Sequence, residues 1–186
     1  MNICVFCGSA SGHDPVFAQA AENLGTQIGL NGHSLVYGGG NIGLMGILAD
    51  AVLKANGKVI GVIPDFLFKK EVAHTGITDL IIVDTMHERK TKMANMADVF
   101  IAMAGGWGTL DELAEILTWR QLQLVDKPIG ILNTSDFFTP LLAMMNNMVS
   151  HGFLRENNLK QLLHSNNSAE LLTSLGVGVQ KGDFTP

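Results

Sequence analysis

Charge is scarce in this chain of 186 residues: only 16% are charged, and 12 Lys and Arg against 17 Asp and Glu leave a formal net charge of −5. No dense Lys/Arg run is present, so there is no basic field to hold a polynucleotide backbone, and no nucleic-acid partner is expected. No stretch reaches the roughly 18 uninterrupted apolar residues of a membrane helix. The start, MNICVFCGSASGHD, lacks the positive region of a signal peptide. A cytoplasmic protein without membrane contact is expected. Cysteine is nearly absent, with Cys4 and Cys7 alone. Their C-x-x-C falls in an apolar strand pattern, where an odd separation sends the side chains to opposite faces, and no second pair completes a zinc site. They read as small buried hydrophobes, and no disulfide framework is implied. Internal repeats, low-complexity tracts and interdomain linkers are also lacking. What remains is 47% hydrophobic, ample for the core of one ordinary domain.

Short apolar runs alternate with helical patterns. Strands are expected at Ile3–Cys7, Ser34–Tyr37, Lys58–Ile63, Leu80–Val83, Val99–Met103 and Pro128–Leu132, with a seventh near Leu159–His164. Helices are expected from Pro15 to about Leu30, Ile42 to about Ala55, Thr85 to about Met96, Thr109 to about Leu124, Ser135 to about Ser150 and Ala169 to Leu175. Phe66 to Gly76 reads as a loop with a short helical piece. This alternation argues for an α/β fold: a single Rossmann-like domain over residues 1–175, with a doubly wound, mainly parallel sheet of about seven strands flanked by helices. Residues 176–186 read as a flexible tail.

Three glycine-bearing turns, at Gly8, at Gly38 to Gly46 and at Gly105 to Gly108, all follow strands. In a doubly wound sheet they share the carboxyl edge, where ligands bind. The third turn opens a helix, so converging backbone N–H groups and the helix dipole favour an anion such as phosphate. A dinucleotide is disfavoured, because the first strand ends in Gly8-Ser9-Ala10-Ser11-Gly12 rather than G-x-G-x-x-G, and no acid follows the second strand for the ribose. No G-K-[ST] follows a glycine run, which excludes a P-loop.

Two side chains stand near that edge. Met86, Arg89 and Met93 recur at helical spacing, so Arg89 either contacts a ligand or snorkels past the core to a surface carboxylate. Glu112 is either a carboxylate facing the anion site or the last member of a capping box, Thr109-Leu110-Asp111-Glu112. Thr85-Met86-His87-Glu88 has the form of a second capping box.

Met86-His87-Glu88-Arg89-Lys90 followed by Gly105-Gly106-Trp107-Gly108-Thr109-Leu110-Asp111-Glu112, with Gly38-Gly39-Gly40 and Gly43-Leu44-Met45-Gly46 upstream, resembles the Lonely Guy family of cytokinin riboside 5′-monophosphate phosphoribohydrolases. The likeness runs from the first strand to about Asn133. Two positions depart from the usual pattern: Ala104 replaces the proline of the glycine turn, and Trp107 fills a variable position often held by Tyr. The resemblance implies hydrolysis of the N-glycosidic bond of an adenosine-type 5′-monophosphate to free base and ribose 5-phosphate. Arg89 and Glu112 match the family's catalytic residues. It places the 5′-phosphate at Gly105, Gly106, Gly108 and Thr109, the nucleotide along Gly8, Ser9, Gly40 and Met45, and the base beside Met86 and Glu88. No metal or cofactor is expected. The family also implies a homodimer with pockets near the interface, to which Ile116, Trp119, Leu122, Leu124, Met144, Met145 and Met148 could contribute apolar surface. A nucleotide-binding module without turnover stays open as the alternative. Amino-acid decarboxylation would need a buried lysine that nothing in the sequence marks.

Overall fold

The computed structural model describes residues 1–69 and 73–178. Residues 70–72, within the segment read as a loop, and most of the expected tail lie outside the described residues. The chain runs β1 (Asn2–Phe6), α1 (Pro15–Leu30), β2 (Ser34–Tyr37), α2 (Gly43–Lys54), β3 (Lys58–Pro64), α3 (Asp65–Phe68), β4 (Asp79–Val83), α4 (Met86–Met96), β5 (Val99–Ala102), α5 (Trp107–Gln121), β6 (Ile129–Leu132), α6 (Thr139–Ser150), α7 (Glu156–Lys160), β7 (Leu162–Ser165) and α8 (Ser168–Ser174). All seven strands pair in parallel in one sheet, ordered β4-β3-β2-β1-β5-β6-β7. The sheet is doubly wound, as the alternation predicted.

Strands β5 and β6 are buried at every residue, VFIA and IGIL, which is why they read as unbroken apolar runs rather than alternating ones. Their side chains divide between two cores. Ile3, Val5, Leu35, Tyr37, Val99 and Ile101 pack toward α1, α2 and α8. Cys4, Val36, Val62, Phe100 and Ile131 pack on the other face with Met93, Leu113 and Ile116. Cys4 and Cys7 fall in different cores, as their odd separation required, and burial pushes both thiols well above the usual range.

The chain builds outward from β1 to β4 and then returns to β5 beside β1, so the winding direction reverses between β1 and β5. Ligand crevices in open α/β sheets form at that switch point. Three boundaries differ from the sequence reading. Helix α5 starts at Trp107 with Gly106 as its N-cap, two residues before Thr109. Helix α6 starts at Thr139 rather than Ser135, because Ser135 and Asp136 have φ of 52° and 59°, a left-handed bend that no α-helix continues through. Asn133 Oδ1 stabilises the bend by accepting from Phe138 N at 2.7 Å. The first part of the expected seventh strand is helix α7, so β7 begins at Leu162.

Candidate active site

Helix α4 is capped by Thr85, whose Oγ1 accepts from Glu88 N at 3.1 Å. The reciprocal half of the box lands one residue earlier than the usual form, with Glu88 Oε2 accepting from Asp84 N at 3.0 Å. Glu88 is exposed and engaged in the cap, and Met86 is half-buried. The next residue turns inward. Arg89 is 9% exposed, its Nε donates to Val62 O at the end of β3 at 3.1 Å, and its Nη1 lies 3.1 Å from Glu112 Oε1. The snorkelling reading is therefore overturned, since the arginine ends on a buried carboxylate and not on a surface one. The end of β2 makes room for it: a Cβ on Gly38 would sit 1.9 Å from Arg89 Nη2. Glycine is thus the residue that lets the guanidinium pass.

Glu112 reaches the same point from α5. Thr109, Glu112, Leu113 and Ile116 are that helix's buried residues, the i, i+3, i+4, i+7 stripe of a helix facing its core. The early helix start removes the capping alternative. With Gly106 as N-cap, Thr109 is already inside the first turn and Glu112 lies a further turn on, beyond reach of the orphan amides. No side chain caps this helix. Its first intrahelical bond is Leu110 N to Gly106 O at 3.1 Å, so the amides of Trp107, Gly108 and Thr109 are left for an anion.

Burial raises the Glu112 carboxyl above the usual carboxylate range. Arg89 pulls it back, Asp111 raises it, Lys90 lowers it and Glu115 raises it. A carboxylate held in that state is a stronger base than a solvated one, and the guanidinium beside it keeps the ionised form accessible.

The glycine turns converge at the switch point. Gly8 N donates to Ala104 O at 3.0 Å, and Met45 N donates to Gly8 O at 3.3 Å. A crevice of about 250 Å³ is lined by Gly8, Ser9, Leu44, Gly105, Gly106 and Phe137, among others. A neighbouring cavity of about 490 Å³ shares Gly105, Gly106 and Phe137 with it and adds Trp107, Thr109, Leu110 and Leu141. The turn at Gly105 thus divides two ligand-sized spaces, each near the volume range of small-molecule pockets. Of the expected site residues, Gly8, Ser9, Gly105, Gly106 and Thr109 border them. Gly108 is exposed at the helix start, Gly40 is buried in a bridge to Ala73, and neither lines a cavity. Met45 approaches the Gly38 seat of Arg89. Arg89 and Glu112 line neither space. Glu112 borders a recess of about 10 Å³ with Phe6, Lys90, Glu115 and Trp119.

Gly38, Lys90 and Phe137 were not among the expected site residues, although the first two lie in the quoted motifs. For Gly38 the signal was its place at the end of a strand beside a cluster of glycines. Phe137 carries no motif, and only its position after β6 brings it to the edge. Among the described residues, no three His, Cys, Asp or Glu side chains converge as a metal site would require.

A family model described as possible lysine decarboxylase matches residues 45–175. The rice cytokinin riboside 5′-monophosphate phosphoribohydrolase LOG is 44% identical over 93% of this chain and 72% of its own length. The Arabidopsis thaliana enzyme LOG2 is 41% identical over 97% of this chain and 85% of its own. The chain belongs to the Lonely Guy family. The Lonely Guy motifs are the stretches that build the site: one carries Arg89, the other the Gly105 turn and Glu112. Among solved structures, the molybdenum cofactor binding protein from Rippkaea orientalis superposes with a TM-score of 0.70 at 26% identity, covering 93% of this chain and 95% of that one. The molybdenum cofactor carrier protein of Chlamydomonas reinhardtii gives the same TM-score at 19% identity, over 94% and 95% of the two chains. That second likeness is one of fold.

Proposed function

We propose that this chain hydrolyses the N-glycosidic bond of adenosine-type nucleoside 5′-monophosphates, cytokinin nucleotides among them, to the free base and ribose 5-phosphate. The observation that carries the reading is the buried ion pair of Arg89 with Glu112, brought from two helices to the edge where an anion-binding turn stands. The free amides at the start of α5, with Thr109, hold the 5′-phosphate and thereby fix the ribose. Glu112 orients a water and takes its proton as the water oxygen bonds to C1′. The C1′–N9 pair leaves with the base, which takes up a proton. Positive charge developing on the sugar is stabilised by the carboxylate. Arg89 stays protonated and works by charge and position, on Glu112 and on the substrate.

The decarboxylase label implies pyridoxal phosphate, and the residues present do not fit it. A Schiff-base lysine must be desolvated and readily neutral. Among the described residues, Lys90 and Lys127 are the lysines that are half-buried rather than exposed. Burial alone would lower Lys90, but hydrogen bonds and charges from Asp111 and Glu115 outweigh it and raise its ammonium above the ordinary value. Lys127 Nζ donates to Ala94 O. No step is derived through that cofactor.

We further propose a cytoplasmic homodimer, with residues 1–175 as its catalytic unit. Helix α6 fully buries none of its residues: Leu141, Leu142 and Met145 pack only partly on the core, and Met144 is 52% exposed. Leu122, Leu124 and Phe153 are 59%, 69% and 86% exposed, apolar surface that a second copy would cover. A light-scattering mass of one chain would remove this proposal.

The test of the activity is direct. Incubation with AMP and with isopentenyladenosine 5′-monophosphate should release free base and ribose 5-phosphate, measured by chromatography. If neither substrate yields product while both bind, the chain is a nucleotide-binding module and the hydrolase reading is wrong.

A further inference from the structure

Lys90 follows Arg89 on α4 and takes no part in the mechanism above. Its side chain is 12% exposed, and its Nζ lies 3.1 Å from Asp111 Oδ2 and 3.1 Å from Glu115 Oε2. Those two acids stand one residue before and three residues after Glu112. Helix α4 therefore sends adjacent cations to three carboxylates of α5, Arg89 to the middle one and Lys90 to the outer two.

We propose that Lys90 is a positioning residue for Glu112: by pairing with Asp111 and Glu115 it ties the carboxylate row of α5 to α4 and cancels the field of those acids on the catalytic carboxylate. The proposal rests on the hydrolase reading for its consequence in catalysis, and on the geometry alone for its effect on Glu112. The charged groups around Glu112 are Arg89 and Lys90 from α4 and Asp111 and Glu115 from its own helix. The Cys4 thiol of β1 shares the core of Leu113 and Ile116, Cys7 lies just past β1 on the other face, and burial keeps both neutral. Lys90 and Arg89 favour the ionised carboxylate, and the two neighbouring acids oppose it. Without Lys90, Arg89 alone opposes the like charges at positions i−1 and i+3 of Glu112.

The test compares pH profiles of kcat for AMP in the wild type, Lys90→Met, the double variant Asp111→Asn/Glu115→Gln, and the triple variant combining all three. Lys90→Met should move the acid limb upward by about one pH unit. The double variant, which leaves Lys90 beside Glu112 without its acids, should move it downward. The triple variant should return close to the wild-type profile, with KM changed little throughout. A purely structural clamp would lower the thermal midpoint of Lys90→Met and leave every acid limb in place, and that result overturns the proposal. So does a shifted Lys90→Met profile that the triple variant fails to restore. If Lys90→Met does not fold, the double variant decides by its own shift. The carboxyl-carbon NMR titration of Glu112, assigned by its loss in Glu112→Gln, reads the same shifts without turnover. A wild type that releases no product therefore defeats the hydrolase reading while still testing Lys90.

Discussion

Glu112→Gln should lower kcat for AMP by about 10³-fold while leaving the thermal midpoint within ~3 °C. Glutamine matches the shape of glutamate and its Oε1 can still accept from Arg89 Nη1, so the 3.1 Å contact and the packing of α5 on the sheet persist. What is lost is the negative charge and the ability to take a proton. Because burial raises the Glu112 carboxyl, the wild-type kcat should begin to fall on acidification above the ordinary glutamate value of about 4.3. The residual activity of the glutamine variant should lack that limb. Equal rates for the two proteins would remove Glu112 from the chemistry.

Arg89→Ala is expected to act on both rate and stability. Removing the guanidinium strips positional and electrostatic support from the reacting centre, worth about 10²-fold or more in kcat. It also leaves a carboxylate that is 8% exposed without its cation. Breaking a buried pair from one side costs about 3–5 kcal/mol. The pH dependence has a definite sign. Loss of Arg89 raises Glu112 further, so the folded variant holds a proton that the unfolded chain has released. Its stability is then lost as pH rises from the unfolded carboxylate value through the raised folded one, and the deficit against wild type is smallest in acid. Urea midpoints at two pH values measure this, and a deficit that does not change with pH would contradict it. Gly38→Ala approaches the same site with both charges kept. Its Cβ would fall 1.9 Å from Nη2, so the guanidinium must move and kcat should drop although the pair survives in composition.

The acids of α5 show how unlike three neighbouring carboxylates can be. Asp111, Glu112 and Glu115 belong to one helix, yet the first has a side chain 60% exposed, the second 9% and the third 27%. The difference is a matter of helical phase. Glu112 shares the stripe of Thr109, Leu113 and Ile116 that packs on the sheet. A carboxylate at a core position is unfavourable unless a cation meets it, and the arginine of α4 is that cation.

Much of the architecture is legible in the residues. Central strands bury both faces and therefore read as apolar runs, as Val99–Ala102 and Ile129–Leu132 do. The glycine-bearing turns after them fall on one edge because a parallel sheet aligns all strand ends. Boundaries set by single backbone conformations were not legible. The start of α5 at Trp107, just after its Gly106 cap, and the left-handed bend at Ser135 and Asp136 depend on φ and ψ values that the side-chain pattern does not specify. The expected helix starts at Thr109 and Ser135 were misplaced for that reason.

The sequence by itself determined a doubly wound α/β sheet, a glycine turn opening a helix at its carboxyl edge and membership in a family with an arginine and a glutamate at fixed motif positions. It left Arg89 between ligand and surface, and Glu112 between catalyst and cap, because each alternative satisfies the same local spacing. The tertiary structure removed the surface carboxylate for the one and the cap for the other. Long-range packing alone brings α4 against α5, so that Arg89 Nη1 meets Glu112 Oε1 at 3.1 Å in the space that Gly38 leaves open.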